Sequence, residues 1–358
     1  MARLLLAGYF GAGNLGDDAI LLGFVHGLGN TSHQVTVMSG NPEETHRLYG
    51  FTSIDRKDMA AFKQAMEQCD ALVFPGGSIF QDSSSVKSAL FYSNLVKVAK
   101  SKGKRVIFLG QGVGPLTSFL GKRAAGAAFN AAEVIAVRDP GSMATLKDLG
   151  VKRPIMVTAD PAFLLPKPKE SDTGGFNVGG MKAVGISVRP HGKKDDVQKL
   201  FGELARMLFN AQVMPVFIEM DKKHDGPLIL EISKAQGGRI PDLRGVSTPM
   251  QVQQRMSRLE AVIAMRLHAG ILAATVGIPP FMVSYDPKVS AFAKLLDLQS
   301  APNVEGLTPQ RLFDSFMPFL KDRERNEKVL ERRREELVKL AQLNLDILTE
   351  ALPNPDTM

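Results

Sequence analysis

Residues 261–284 read AVIAMRLHAGILAATVGIPPFMVS, and the fold turns on how this apolar run is understood. As a membrane span it fails. Arg266 and His268 would lie in hydrocarbon, and Gly277-Ile278-Pro279-Pro280 would break the helix. It reads instead as strand, turn, helix and second strand, with the two ionisable residues at the first strand-to-helix junction. Such a unit belongs to a parallel sheet.

The same alternation extends in both directions. Upstream strands are expected at Arg3-Tyr9, Gln34-Met38, Ala71-Phe74, Arg105-Leu109, Val134-Val137 and Ile155-Thr158. Most end in Gly, Pro or Asp and are followed by helical patterns, such as Leu116-Ala132 and Ser142-Leu149. Pro166 to Met181, with Gly174-Gly175 and Gly179-Gly180, reads as a linker or exposed loop. A second series follows at Ala183-Val188, Met214-Glu219, Ala261-Met265 and Pro280-Ser284. The expectation is an α/β protein of two Rossmann-like domains, 1–170 and 181–318, with a C-terminal helix over 319–352. In that helix Leu330, Leu337, Leu340, Ala341 and Leu348 recur at helical spacing. Ligands of such folds bind beyond the carboxyl ends of the strands, which places the expected active site in a cleft between the domains.

Composition narrows the function. The 358 residues are 44% hydrophobic and 23% charged, as in folded soluble proteins. The single cysteine, Cys69, excludes a disulfide framework and a cysteine zinc site, and a reducing cytoplasm is the expected compartment. No secretory signal is recognisable, because Gly8 to Asp18 follows the apolar Met1-Leu6 at once. The net charge is +7, and the charged stretch Lys321-Glu336 contributes only one unit of it, seven basic residues against six acidic. The remainder suits an anionic ligand or an anionic membrane surface. Nucleic acid is not expected, since Trp is absent, Tyr numbers four and no basic run is interleaved with aromatics. No group of acids and histidines has metal-ligand spacing.

The strand ends carry the candidate chemistry. Gly11-Ala12-Gly13-Asn14-Leu15-Gly16-Asp17-Asp18 matches the dinucleotide fingerprint literally. Asp17 and Asp18, however, would set negative charge where a pyrophosphate should rest. The loop is better read as a structural turn capped by one of these acids, or as a sugar-binding loop in which Asn14 and Asp17 hold hydroxyls. Pro75-Gly76-Gly77-Ser78 with Gln81-Asp82 offers backbone N–H groups and a cap for the next helix. Arg138, after Val134-Val137, could grip an anion or merely pair with Asp139 or Asp160. Arg189 has the same place after Ala183-Val188. Arg266, His268 and Lys288 could surround one anion from adjacent strand ends.

Taken together, Gly13-Asn14-Leu15-Gly16-Asp17, Pro75-Gly76-Gly77-Ser78, Gln81-Asp82, Val137-Arg138-Asp139, Arg266-Leu267-His268-Ala269 and Tyr285-Asp286-Pro287-Lys288 resemble the polysaccharide pyruvyl transferase family. They are most similar to its CsaB-type bacterial branch, which modifies the cell-wall polymer that anchors S-layer proteins. The resemblance implies a glycosyltransferase-B-like fold and phosphoenolpyruvate as co-substrate, with no separate cofactor. The implied product is a 4,6-pyruvate ketal on a sugar. The implied acceptor is a lipid-linked saccharide ending in N-acetylmannosamine, at the cytoplasmic membrane face. Donor-binding residues carry over onto Arg138, Arg266, His268 and Lys288, to which Arg189 is added from its position. His268 is the expected proton handler, imidazole having an ordinary pKa of about 6.5, and Asp17 the expected base. Asn14, Gly76, Gly77, Ser78, Gln81 and Asp82 are the expected acceptor contacts. The competing expectation is a nucleotide-sugar glycosyltransferase of the same fold.

Overall fold

A computed structural model describes residues 2–29, 33–82, 85–168, 180–238, 240–242 and 245–352. Most of the expected linker, at 169–179, and the Pro353-Asn354-Pro355 ending lie outside the described residues. Contacts divide the chain into two compact units, Met1–Leu165 with Leu337–Met358, and Pro166–Glu336.

The first unit runs β1 (Arg3–Phe10), α1 (Leu15–Leu28), β2 (Gln34–Ser39), α2 (Pro42–Tyr49), β3 (Thr52–Asp55), α3 (Met59–Gln68) and β4 (Ala71–Phe74). It continues with β5 (Gly77–Phe80), α4 (Lys87–Ser101), β6 (Arg105–Val113), α5 (Phe119–Ala131), β7 (Val134–Val137), α6 (Pro140–Asp148) and β8 (Met156–Val157). Its strands form one parallel sheet in the order β3-β2-β1-β4-β6-β7-β8, with β5 also paired to β6. β4, Ala-Leu-Val-Phe, is buried on both faces because helices cover both sides of a parallel sheet. Beneath α4 and α5 the rings of Phe74, Phe80, Phe108 and Phe129 pack together, with Phe74 and Phe108 stacked at 4.7 Å between centroids.

The second unit runs β9 (Lys182–Ser187), α7 (Lys194–Asn210), β10 (Val213–Phe217), α8 (Asp225–Ala235), α9 (Pro249–Met256), β11 (Ala261–Ala264) and α10 (Leu267–Thr275). It ends with β12 (Pro280–Met282), α11 (Pro287–Leu296), α12 (Pro309–Lys321) and the start of α13 (Arg323–Ala351). Its parallel sheet has the order β10-β9-β11-β12. The C-terminal segment is helical from Pro309 and is interrupted at Asp322, and α13 from Leu337 onward belongs to the first unit. There Asn344 is fully buried, accepting from the Thr158 hydroxyl at 2.8 Å and donating to the Ala159 carbonyl.

In each sheet the strand order reverses once, between β1 and β4 in the first and between β9 and β11 in the second. At such a reversal the loops leave in opposite directions and open a crevice at the carboxyl edge. The loops flanking the first reversal carry Gly11–Asn14 and Pro75–Gly76; those flanking the second carry Val188-Arg189 and Met265-Arg266. No helix among the described residues is long and apolar enough to cross a membrane.

Candidate active site

In the second unit the side chains converge on Tyr285. The Arg189 guanidinium lies over its ring at 4.3 Å, and Arg189 Nη1 donates to the Tyr285 hydroxyl at 2.5 Å. Lys288 Nζ stands 5.9 Å from the same ring, and the His191 ring lies 5.6 Å from it. Lys288 is steadied by Asp286 at 3.5 Å, and His191 faces Glu305 at 3.6 Å. Among the described residues no carboxylate pairs with Arg189.

Arg266 is held differently. Its Nε donates to both carboxylate oxygens of the fully buried Asp225 at 3.1 Å, its Nη2 also bonds Asp225, and Asp221 stands 3.5 Å away. Burial works against the Arg266 charge, but Asp225 and Asp221, with a further contribution from Tyr285, outweigh it and hold the guanidinium above its ordinary range. Burial likewise pushes the Asp225 carboxyl up, opposed chiefly by Arg266. Asp225 in turn accepts from the backbone N–H of Met220 and Asp221, which locks the loop after β10. Arg266 is the residue that precedes α10, and it provides no side-chain cap for it. His268, the second residue of α10, is partly exposed.

In the first unit Asn14, not Asp17 or Asp18, is the cap of α1: its Oδ1 accepts from Gly16 N at 3.0 Å. Its Nδ2 donates to Asp17 at 2.6 Å, and Asp17 Oδ1 lies where it would be 3.4 Å from a side chain at Gly77. The two loops of the reversal therefore meet. Ser78 lies in β5 rather than capping a helix, and its hydroxyl accepts from Arg138 Nη2 at 2.8 Å. Arg138 is buried and gives Nη1 to Asp160 at 2.8 Å. Gly112 makes room for this contact. A Cβ there would stand 2.5 Å from Ser78 Oγ and 2.6 Å from Arg138 Nη2.

Other acids of the first unit are structural. The Asp82 carboxylate accepts from the backbone N–H and hydroxyl groups of both Thr117 and Ser118, at 2.6 to 3.1 Å. These bonds tie the turn after β6 to the loop after β5. Asp18 accepts from Gly11 N at 2.8 Å and Tyr49 Oη at 3.2 Å. Burial pushes its carboxyl up to about 7 from an ordinary 3.8. Between those values the folded chain keeps a proton that the unfolded chain releases. Its stability contribution is therefore complete below about 4 and lost as pH rises through about 7. Asp18→Asn, of the same shape, is expected to add about 1–3 kcal/mol of stability at pH above 7 and to flatten the dependence below it. Thermal unfolding across this range checks the sign, and a difference from the parent independent of pH would refute it.

Sequence reasoning missed Asp221, Asp225, His191 and the hub role of Tyr285. It also missed the pairing of Tyr9 with Arg56, whose guanidinium covers the Tyr9 ring at 4.3 Å. The available signal was the acid run Glu219, Asp221, Asp225 directly after β10. Among the described residues no group of acids, histidines or cysteine could hold a metal ion.

The polysaccharide pyruvyl transferase family profile matches residues 14–287. A search of curated proteins returned no match. Solved structures share the fold over nearly the whole chain. UDP-N-acetylglucosamine 2-epimerase from Neisseria meningitidis, bound to UDP-GlcNAc, has a TM-score of 0.64 at 11% identity, covering 98% of this chain and 100% of that one. Anabaena Alr3699/HepE with UDP and glucose has a TM-score of 0.64 at 13% identity, covering 98% and 99%. ADP-heptose lipopolysaccharide heptosyltransferase II of Escherichia coli has a TM-score of 0.51 at 14% identity, covering 90% and 100%. At these identities the likeness establishes a shared glycosyltransferase-B-type fold alone. The profile spans well over half of the chain, and the chain belongs to the polysaccharide pyruvyl transferase family, a family of transferases.

Proposed function

We propose that the protein transfers pyruvate from phosphoenolpyruvate to two hydroxyls of one sugar, releasing inorganic phosphate and closing a 4,6-ketal. The observation that carries this is the second unit's cation cluster: Arg189 and Lys288 gathered on Tyr285, with no carboxylate paired to Arg189 among the described residues. Phosphoenolpyruvate presents a carboxylate and a phosphate around one reactive carbon. A fork-shaped guanidinium, Lys288 and helix N–H groups match that charge pattern. Arg266, fixed by Asp225, holds its guanidinium at the start of α10 without swinging away. Arg138 is the first unit's cation at a strand end; it is oriented by Asp160 and Ser78.

In the proposed reaction an acid gives a proton to the methylene carbon, and C2 becomes cationic. One sugar hydroxyl adds to C2 and loses its proton. The C2–O bond to phosphate then breaks, and the second hydroxyl closes the ring as its proton departs. Every cation near the donor also stabilises the leaving phosphate. Holding two hydroxyls against C2 contributes a further large share of the acceleration. His268 supplies the first proton, and Asp17, oriented by Asn14, is the base for an acceptor hydroxyl. Asn14, Gly76, Gly77, Ser78 and Gln81 line the acceptor side, for which a lipid-linked saccharide ending in N-acetylmannosamine is the proposed occupant, as in the CsaB-type branch. The reaction would take place at the inner membrane face.

The test is phosphate release and thermal shift. Phosphoenolpyruvate is expected to raise the melting temperature, and Arg189→Ala to weaken its binding about tenfold or more, a charge-assisted contact being worth about 1.5–3 kcal/mol. Stabilisation by nucleotide sugars but not by phosphoenolpyruvate would overturn the proposal in favour of a glycosyltransferase.

A further inference from the structure

The most exposed apolar residues of the first unit stand together in sequence at the start of α5. Phe119 is 74% exposed and Leu120 57% exposed, immediately after the Ser118 cap. Single exposed leucines are ordinary, but a phenylalanine and a leucine projecting side by side need a cause. The next two exposed residues of the helix are Lys122 and Arg123, and α5 contains no acid. Its neighbour α4, which shares the core beneath, begins with the exposed Lys87, shows Leu90 at 42% exposure, and also contains no acid. The two helices hold five basic residues. Among the described residues only Lys100, in the last turn of α4, is paired, with Glu133. The nearest acid to the start of α5, Asp82, is consumed by Thr117 and Ser118.

Both helices follow strands of a parallel sheet, so their first turns lie at its carboxyl edge. That is also the edge of Asn14, Asp17 and Arg138. We propose that the first turns of α4 and α5 form a docking surface for an anionic lipid bilayer. Phe119 and Leu120 enter the interface, Leu90 rests against it, and Lys87, Lys122 and Arg123 meet lipid phosphates. The surface is too short to anchor the chain irreversibly. A few basic residues and two apolar side chains give reversible, salt-sensitive binding. The inference extends the lipid-linked acceptor of the proposed function, since docking there would present the first unit's carboxyl edge to a headgroup. Its own support is separate: exposure, and charge without counter-charge.

The full chain, sedimented with vesicles of phosphatidylcholine alone or of equal parts phosphatidylcholine and phosphatidylglycerol, tests it. Binding is expected on the anionic vesicles only, falling steeply as salt is raised. Phe119→Ser with Leu120→Ser is expected to lower partitioning about tenfold or more. Lys122→Gln with Arg123→Gln should do likewise, at about 1 kcal/mol per basic residue. All four positions are exposed, so unfolding temperature should hold. Parent-like binding by both double variants would overturn the proposal, as would equal binding to neutral and anionic vesicles. Failure of the parent to bind would do so too, including a case where Phe119 instead mediates self-association in size-exclusion runs. Phosphate release with a water-soluble sugar acceptor separates the two ideas. It should be unaffected by these substitutions if both hold, and absent in the parent as well if the proposed reaction is wrong.

Discussion

Asp225→Ala is expected to destabilise the second unit by about 3 kcal/mol or more, the cost of leaving a largely buried guanidinium without its partner. Asp225 has no solvent exposure, and Arg266 gives it three hydrogen bonds while its own side chain is 14% exposed. The residual exposure sets the effect near the lower end of the range for broken buried pairs. At about 2–4 °C per kcal/mol for a unit of this size, the melting transition should fall by roughly 6–12 °C. Asp225 also accepts from Met220 and Asp221, so the loop after β10 loosens with it.

The informative companion is the double variant Asp225→Leu with Arg266→Met. Replacing both partners by apolar groups removes the unpaired charge, and much of the stability should return. Phosphate release should not return, because the guanidinium donors at the start of α10 have gone. Recovery of both together would show that Arg266 serves only to fill its place. A melting temperature unchanged by Asp225→Ala would show that the pair contributes nothing to the fold.

Arg266 also illustrates what a linear sequence exposes and what it conceals. Two ionisable residues inside AVIAMRLHAGILAATVG mark the junction after β11, because neither hydrocarbon nor a core tolerates them unpaired. The partner sits 41 residues earlier, after β10, a strand that does not even neighbour β11. Pairing across a sheet depends on strand order, and strand order is not written in local periodicity. The same holds for Asp82, whose four contacts come from a turn 35 and 36 residues later. Strand cores were legible because runs such as Ala71-Leu-Val-Phe74 are apolar throughout. β5 was not, since Gly76 and Gly77, at φ 149° and 91°, carry the signature of a turn while the chain resumes extended pairing with β6. β3 is a four-residue edge strand whose mixed burial leaves no clean alternation. Asn14 was picked for its sugar-binding chemistry and proves to be a helix cap as well, because an amide can accept from Gly16 and donate to Asp17 at once.

His268→Gln is expected to lower turnover by about 10²–10⁴-fold while leaving phosphoenolpyruvate binding nearly intact. The argument begins with position. His268 is the second residue of α10, two residues beyond Arg266, where a bound anion would contact the N–H groups of the same turn. A proton donor there is carried on a helix and not on a loop. Glutamine preserves size and hydrogen bonding but cannot deliver a proton, so the loss should fall on kcat and not on KM. A residue that only shaped the site would move both. In heavy water the product methyl group should carry one deuterium from solvent, and turnover by the parent should show a solvent isotope effect. Near-normal kcat in His268→Gln would remove it from the proton-transfer step and leave α10 as an anion site alone. His191, whose partly exposed imidazole lies 5.6 Å from the Tyr285 ring, would then be the group to replace next.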